Sequence, residues 1–420
     1  MKKIITLATL LFICSITFTQ NLSGEWAGNL NIGPHSLRLI FHLSETPDGY
    51  SATMDSPDQN ANGIVMSHIT IDGDSLTIEL RIAGMKYSGK KSGDSIRGTF
   101  SQAGQNLPLI LNRRDVLVNN HKQKVSTENE LFVETEVRLP IEKGNLVGTQ
   151  TTPKNFAIGP LALIVAGSGP TDRDGNNPSM ICDTYKKIAH ELAKNDIASI
   201  RYDKRGIANS ASTVDNEIDL RFDDYVNDTR LWIDLIKKDQ RFSQVVLIGH
   251  SEGSLIAMLA SDMANKFISI SGPGRSADFL LKEQLESVPY QIRDVAYEKI
   301  DSLKNGLEVK YVPEELLSLF RPSVQPYLIS WFKQDPSKII EDMTIPIMLI
   351  HGTTDIQVTE KDFKFLTAAK PDAEQLIIEN MNHILKTATL EREANLATYN
   401  DPELPLSTGL IEGIVSFINK

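Results

Sequence analysis

The first part of the chain alternates apolar and polar residues with a period of two. In the runs 36–41 and 75–80 the apolar side chains fall mainly on every second position, and turn-forming tripeptides such as Asp72-Gly73-Asp74 and Ser92-Gly93-Asp94 separate such runs. This period, with closely spaced turns and no helical pattern between them, is typical of antiparallel strands. Residues 21–115 are therefore predicted to form an antiparallel, barrel-like β domain.

The pattern changes after a polar stretch at 116–130, which we interpret as a linker. From residue 131 to the end, short apolar runs alternate with segments of helical periodicity, which predicts a mostly parallel sheet with helices on both faces. A leading antiparallel pair is expected at 132–137 and 146–151. The apolar runs predicted as buried strands are 161–165, 197–200, 245–248, 267–271 and 345–350.

One connection in this second region is far longer than the few residues that usually join a strand to the next element. The segment 273–342 is helical in pattern, and we interpret it as a helical cap inserted into the domain. If the cap covers the site, its large side chains limit what can enter. Phe279 and Trp331 are the candidates we expect to do so.

Length and charge narrow the function classes. The chain has 420 residues, enough for two domains, and a formal net charge of −11. This acidic balance argues against nucleic acid or an anionic membrane surface as a partner. Lys2 and Lys3, followed by the apolar stretch 4–18, predict an export signal over residues 1–20. A membrane anchor and a lipoprotein cut before Cys14 remain alternatives, although Ile13 is large for such a cut.

Cysteine and metal chemistry contribute little. Cys182 is the single cysteine beyond the predicted signal, so no intrachain disulfide is expected, and we interpret it as a buried, inert thiol. The segment 172–176 resembles a calcium loop in composition, but its glycine and its twelfth position do not fit the EF-hand spacing. A turn that braces its neighbours is the favoured interpretation. No metal or cofactor is implied.

The main chemical signal is Gly249-His250-Ser251-Glu252-Gly253, which fits G-x-S-x-G. A predicted strand leads directly into it and a predicted helix follows, which is the context that this nucleophile motif requires. The glycines allow a sharp strand-to-helix turn that exposes the serine hydroxyl. Ser251 is therefore predicted to be a catalytic nucleophile.

A serine nucleophile needs a base, and the base needs a carboxylate to orient it. Asp355 follows the strand that ends at Ile350, and His383 follows the next predicted strand, so both belong to loops at the carboxyl edge of the sheet. The order Ser, acid, His is the order expected for this motif. Three neighbouring side chains are expected to have other roles: Asp362 to lie on a solvated helix face, His250 to pack and His351 to support its loop.

Acyl transfer also needs N–H donors for the developing oxyanion. One is expected from Glu252, the residue after the nucleophile, and the second from Ser168 in the loop 166–170. Gly169 is the alternative for the second donor.

Taken together, these segments resemble bacterial α/β-hydrolases of the serine aminopeptidase-like (S33-type) carboxylesterase group, over roughly residue 131 to the end. The segments that carry the resemblance are 167–176, 201–206, 249–253, 351–355 and 382–383. The resemblance implies hydrolysis of ester or related acyl bonds without a cofactor. In the β domain, the tripeptide Gly24-Glu25-Trp26 resembles the start of lipocalin-like barrels, and the resemblance is limited to these three residues.

The sequence predicts a secreted carboxylic ester hydrolase acting on a small-molecule ester of small or medium acyl size. An aminopeptidase is the alternative, with Glu283, Glu286, Glu314 or Glu315 holding the substrate ammonium. A binding protein with a degenerate hydrolase part is the alternative from another class. We also expect the β domain to fold by itself, with few contacts to the remainder, and the region from about Glu128 to be sufficient for turnover of a small ester.

Overall fold

The computed structural model describes residues 22–32, 35–46, 49–56, 61–102, 105–114, 131–177, 180–286 and 288–420. The predicted export signal (1–20) and the predicted linker (116–130) lie outside these residues. The described part of the chain contains two β-sheets, one of nine strands and one of eight. No helix in that part is both long enough and apolar enough to cross a bilayer.

The N-terminal domain is a nine-stranded antiparallel sheet that curls on itself. Its strands are β1 (Gly24–Ile32), β2 (His35–Thr46), β3 (Gly49–Ser56), β4 (Ala61–Val65), β5 (His68–Asp72), β6 (Ser75–Leu80), β7 (Met85–Ser92), β8 (Ser95–Gln102) and β9 (Gln105–Arg114). They are arranged in the order β4-β3-β2-β1-β9-β8-β7-β6-β5. The two edge strands are separated in sequence by Met66 and Ser67 alone.

This short link determines the shape of the sheet. Two residues cannot span nine strands that lie about 4.8 Å apart, so the edges must approach each other. Met66 N donates to Ala52 O of β3 (2.9 Å), and Ser67 N donates to Glu79 O of β6 (2.8 Å). The alternating apolar residues fill the interior, where the largest fully buried side chains are Trp26, Phe41 and Tyr87. The predicted antiparallel β domain is confirmed.

The second sheet is mixed and mostly parallel, as predicted. Its strands are β10 (Phe132–Pro140), β11 (Asn145–Pro153), β12 (Gly159–Val165), β13 (Ala198–Tyr202), β14 (Phe242–His250), β15 (Lys266–Ile270), β16 (Ile347–Gly352) and β17 (Glu374–Ile378). They are arranged in the order β10-β11-β13-β12-β14-β15-β16-β17. β10 and β11 form the leading antiparallel pair, and the strands from β13 to β17 in this order are parallel.

Helices cover both faces of this sheet. They are α1 (Thr184–Lys194), α2 (Phe222–Lys237), α3 (Glu252–Leu259), α4 (Ala277–Gln284), α5 (Tyr290–Lys304), α6 (Leu317–Phe320), α7 (Gln325–Phe332), α8 (Pro336–Glu341), α9 (Glu360–Ala369), α10 (Arg392–Ala397) and α11 (Leu410–Asn419). Successive residues of a strand point to opposite faces. Leu163 therefore packs in one core with Trp232 of α2, whereas Ile164 packs in the other with Ile188 of α1.

Five of these helices, α4 to α8, lie between β15 and β16. They occupy the segment predicted as a cap. Their buried apolar side chains, including Leu303, Phe320 and Phe332, belong to the same core as α2 and α3. The insertion is thus packed onto one face of the sheet.

The two domains contact each other through an ion pair. Arg81 of the β domain donates through Nη1 to Asp215 Oδ1 of the second domain at 2.6 Å. Lys143 pairs with the same carboxylate. Lys143 and Asp215 both belong to the second domain, so of these two pairs only Arg81–Asp215 crosses between the domains, and an exposed ion pair of this kind contributes little to stability. Our expectation that few contacts connect the two parts stays a prediction.

Candidate active site

Ser251 lies at a sharp turn between β14 and α3. Its backbone has φ 55° and ψ −126°, a region that non-glycine residues rarely adopt and that costs about 1–3 kcal/mol. Ser251 N donates to Ile270 O (3.0 Å), and Ser254 N donates to Ser251 O (2.9 Å). Since these bonds hold the strained turn, the side chain stands at the carboxyl edge of the sheet.

The glycines on either side of Ser251 are required by close packing. A Cβ on Gly249 would lie 2.4 Å from Gly253 O, and one on Gly253 would lie 2.2 Å from Val165 O. Both distances are far below van der Waals contact with backbone atoms that cannot move freely. The turn therefore tolerates no side chain at either position, which is the physical content of the G-x-S-x-G pattern.

Asp355 and His383 are brought together by the loops that follow β16 and β17. His383 Nδ1 lies 2.8 Å from Asp355 Oδ2. The other carboxylate oxygen accepts hydrogen bonds from the backbone N–H groups of Gln357 (2.8 Å) and Val358 (3.0 Å). Burial alone would raise the pKa of Asp355, but the adjacent imidazole and these hydrogen bonds outweigh burial and hold the pKa below its ordinary value.

Ser251 shares the rim with this pair. Within the described residues, no hydrogen bond joins the Ser251 hydroxyl to His383. Catalytic hydrogen bonds are often long before substrate binds and shorten in the complex. The structure therefore joins the acid and the base directly, and it places the serine on the same edge of the sheet.

His250 has a more definite role than the packing we expected. Gly167 N donates to Tyr185 Oη (2.9 Å), Tyr185 Oη lies 2.8 Å from His250 Nδ1, and His250 Nε2 lies 2.7 Å from His383 O. Burial lowers the pKa of His250 to about 3, so the ring is neutral. A carbonyl only accepts, so Nε2 carries the proton and Tyr185 donates to Nδ1. This chain links the loop at Gly167 to the backbone of His383.

The loop 166–170 lies directly against the nucleophile turn. A Cβ on Gly167 would lie 3.3 Å from Ser251 Cβ, so a side chain there would crowd the serine. Thr171 Oγ1 donates to Ser168 O at 2.9 Å, and Gly169 adopts φ +71°. These features fix the course of the loop from Gly167 to Thr171 beside Ser251.

Lys204 is a residue of the candidate site that sequence analysis missed. Its ammonium is buried, with 1% of the side chain exposed, and donates to Gly167 O (2.6 Å) and Glu252 Oε1 (3.0 Å). Glu252 Oε2 accepts from Tyr327 Oη at 2.9 Å. In a planar trans peptide the N–H points opposite to the C=O. Because Lys204 binds the Gly167 carbonyl, the N–H of Ser168 points away from Lys204.

The same lysine also contacts Glu252, whose backbone N–H is the other expected oxyanion donor, through the side-chain carboxylate. Glu252 is the first residue of α3, and the first N–H groups of a helix have no partner inside that helix. The Lys204–Glu252 ion pair thus ties the start of α3 to the Gly167–Ser168 peptide. Lys204 lies in the segment 201–206, which carries part of the family resemblance. That resemblance was the only sequence signal for this lysine, and it assigned the residue no role.

The segment 172–176 forms a braced turn. Asp172 Oδ1 accepts from the N–H groups of Asp174 (2.9 Å) and Asn176 (2.8 Å). Arg173 forms a buried ion pair with Asp203, its Nη2 lying 2.7 Å from Oδ2. Across the described ranges, no group of His, Cys, Asp and Glu is arranged to hold a metal ion. The turn supports the neighbouring loop through side-chain hydrogen bonds.

A cavity of about 1600 Å³ opens at Ser251. Ser168 and Glu252 contribute to its wall, and the cap contributes Tyr327 and Trp331. Phe279, which we expected to limit entry, does not line it. Its side chain is 58% exposed because its position on α4 faces solvent. The prediction for Phe279 is wrong, whereas Trp331 lies where it can contact a substrate.

Asp362 was expected on a solvated helix face, and that expectation is also wrong. Its side chain is fully buried. It accepts from Gly274 N (3.1 Å) and forms an ion pair with Arg275, whose Nη2 lies 2.6 Å from Oδ2. The carboxylate therefore anchors the start of the cap to α9. This pairing is separate from the Asp355–His383 hydrogen bond.

Comparison with known proteins agrees with this arrangement. Residues 180–273, which include the nucleophile turn, match the family model described as Serine aminopeptidase, S33. The chain is 27% identical over 278 residues to Esterase EstD of Thermotoga maritima. The second domain has the predicted α/β-hydrolase fold. The alignment with Esterase EstD covers 63% of this chain and 65% of the relative's length, which is less than two thirds of that protein.

Two solved structures are also similar to this chain. Est1E from Butyrivibrio proteoclasticus is 16% identical with a TM-score of 0.44, and the match covers 68% of this chain and 99% of Est1E. The esterase EaEST from Exiguobacterium antarcticum is 15% identical with a TM-score of 0.43, and the match covers 68% and 99%, respectively.

Proposed function

We propose that this protein cleaves carboxylic esters of small or medium acyl size through an acyl-enzyme intermediate. The observation that carries the proposal is the Asp355–His383 hydrogen bond on the rim where Ser251 occupies its strained turn. Such a constellation activates a serine for attack on an acyl carbon. The similarity to Esterase EstD supports an ester as the substrate.

In the proposed mechanism each residue has one task. Ser251 Oγ attacks the ester carbonyl while His383 Nε2 takes the hydroxyl proton, which it later gives to the leaving alcohol. Asp355 binds Nδ1–H, keeps the imidazole in the required tautomer and stabilises the imidazolium. Water then attacks the acyl-enzyme with His383 again as base, which releases the acid and restores Ser251.

The oxyanion is stabilised by two backbone N–H groups, those of Ser168 and Glu252. Both residues line the cavity beside Ser251. Lys204 binds the carbonyl of the first peptide and the side chain of the second residue, so it acts as a positioning residue for both donors.

The test of the proposed function is a parallel assay on p-nitrophenyl esters from acetate to decanoate and on aminoacyl p-nitroanilides. We expect turnover of the esters and little or none of the anilides. Faster turnover of the anilides would replace the proposal with an aminopeptidase. An absence of turnover on both series would point to a binding protein.

The aminopeptidase alternative keeps one specific observation in its favour. Of the four glutamates considered for holding a substrate ammonium, Glu314 lines the cavity. Glu283 is instead paired with Arg275, whose Nη2 lies 2.6 Å from Oε2. In that alternative, Glu314→Gln abolishes anilide turnover while ester turnover is retained.

Ester turnover is expected to fall in acid, because the base must be neutral to take the proton of Ser251. The lowered pKa of Asp355 keeps that carboxylate charged, and the pKa of His250, about 3, keeps that ring neutral. Neither group therefore takes up a proton in the range where an ordinary histidine titrates. Burial raises the pKa of Asp172, which lines the same cavity, to about 6. The measurement is therefore kcat/KM from pH 4.5 to 8.5 for the unaltered protein and for Asp172→Asn, and both should lose activity in acid. A flat profile down to pH 4.5 would require a different base.

The cap is expected to set the acyl-length preference through Trp331. Trp331→Ala enlarges the cavity. One methylene of a substrate in an apolar pocket changes the binding free energy in the transition state by about 1–3 kcal/mol. We expect the ratio of kcat/KM for octanoate to that for acetate to change about tenfold. Phe279→Ala is the matched control, since that exposed side chain lies outside the cavity. Identical profiles for the two variants would mean that the cap does not contact the acyl group.

The site of action is proposed to be outside the cytoplasm. The support is the positive charge of Lys2 and Lys3 followed by the apolar stretch 4–18. N-terminal sequencing of the protein recovered from cell fractions tests this, with cleavage near residue 20 expected. A mature protein that keeps Met1, or one that begins at a lipid-modified Cys14, would contradict it.

A further inference from the structure

The cavity at Ser251 extends to the N-terminal β domain. Besides residues of the catalytic rim and the cap, its wall includes one end of the nine-stranded sheet. The apolar side chains contributed by that end are Leu30, Ile64, Val65, Leu80, Ala83, Phe100 and Leu107. One continuous cavity is therefore bounded by two domains.

The volume exceeds what a short ester needs. Pockets for small molecules usually measure about 300–1000 Å³, whereas this cavity measures about 1600 Å³. The interior of the β domain is itself filled, since Trp26, Phe41 and Tyr87 are fully buried there. The space therefore lies between the end of the sheet and Ser251, not inside the barrel-like domain.

The side chains at this end are suited to an apolar group. Ile64, Leu80 and Leu107 are only partly buried although each is packed against the core of the β domain. Covering such half-buried apolar surface is favourable by about 25 cal/mol per Å². A ligand that spans the cavity would cover it.

Where the structure describes it, the cavity wall offers no available cation to bind an anionic group of a ligand. Its cationic residues among those described are Lys204 and Arg321. Lys204 is paired with Glu252, and Arg321 is paired with Glu217. Neither cation is available to a carboxylate or phosphate at the far end of a substrate. The described residues that the β domain itself contributes to the wall carry no charge, so the part of the ligand that meets this domain is uncharged.

We propose that the N-terminal β domain forms the distal substrate subsite and binds an extended, uncharged apolar group of the ester whose carbonyl lies at Ser251. The inference rests on the proposed ester hydrolase function and extends it from small or medium acyl groups to long apolar ones. The apolar group is a long acyl chain or a long alkyl alcohol, which share the same chemistry.

The test changes the distal wall in the full chain. Leu107→Gln on β9 and Ile64→Gln on β4 each place an amide in the subsite, on different strands. We expect kcat/KM for p-nitrophenyl dodecanoate to fall about tenfold and kcat/KM for p-nitrophenyl acetate to change less than twofold. Dodecyl acetate is the second long substrate: a loss on dodecanoate alone places the acyl chain in the subsite, and a loss on dodecyl acetate alone places the alcohol there.

Ile110→Gln is the matched control, because this β9 side chain is 45% exposed and does not line the cavity. It should leave all three substrates unchanged. If both subsite variants lower acetate and the long esters equally, or change neither, the inference is overturned. Failure of the proposed function looks different, since the unaltered protein would then hydrolyse no ester of any length.

Discussion

Ser251→Ala is expected to lower kcat for p-nitrophenyl butyrate by a factor on the order of 10³ or more. The hydroxyl is the atom that bonds to the acyl carbon, so its removal leaves only binding and oxyanion stabilisation. The fold should be almost unaffected, since alanine fills less space at a turn that is already held by backbone hydrogen bonds. The measurement is steady-state kinetics together with a cooperative thermal melt.

Two further variants make this result specific. Ser318→Ala removes another serine hydroxyl from the wall of the same cavity and should leave kcat nearly unchanged. The double variant Ser251→Ala/His383→Ala should be about as slow as Ser251→Ala alone, because residues that act as a unit have non-additive effects. Additive losses, or a Ser251→Ala protein with a tenth of the original activity, would contradict the assignment of the nucleophile.

The parts of this site that sequence could predict are those set by local geometry. The nucleophile turn follows from two glycines that have no room for a Cβ, a constraint contained within five consecutive residues. Asp355 and His383 follow from a rule of topology: loops after neighbouring parallel strands meet at the carboxyl edge of the sheet. Applying these two constraints requires only the positions of the glycines and of the strands, and the apolar runs indicate the strands well.

The parts that sequence could not predict depend on partners far along the chain. Lys204 lies 37 residues from Gly167 and 48 from Glu252, and nothing near it shows that its ammonium is buried between them. Asp362 fits a polar helix face until Arg275, 87 residues away, is placed against it. Periodicity describes which face of a helix is apolar, but it does not identify the charge that compensates a buried carboxylate.

The position of the β domain belongs to the same class of problem. Its own fold could be predicted because its alternation and its turns are local. Its position against the second domain depends on surface contacts such as that between Arg81 and Asp215, 134 residues apart. Exposed ion pairs have no sequence signature. The sequence therefore indicates an independent β domain. It does not indicate that one end of this domain lines the cavity at Ser251.

Lys204→Met is expected to lower kcat for short esters by a factor of about 10²–10³, with a much smaller change in KM. Oxyanion donors act on the transition state, and removing one costs about this much in serine hydrolases. In this protein both donors are retained, but the Gly167–Ser168 peptide loses the ammonium that orients it and the start of α3 loses its ion pair. A loss confined to KM would show that Lys204 affects substrate binding instead.

Stability must be separated from this effect, because removing one partner of a buried ion pair leaves the other unpaired at a cost of about 3–5 kcal/mol. The double variant Lys204→Met/Glu252→Gln removes both charges, and the amide keeps a partner for Tyr327. We expect its free energy of unfolding to recover toward that of the unaltered protein while kcat stays low. The Gly167 carbonyl lacks its ammonium in both variants, so positioning of the Ser168 N–H is the property they share. Recovery of kcat together with stability would show that Lys204 only compensates the buried charge of Glu252.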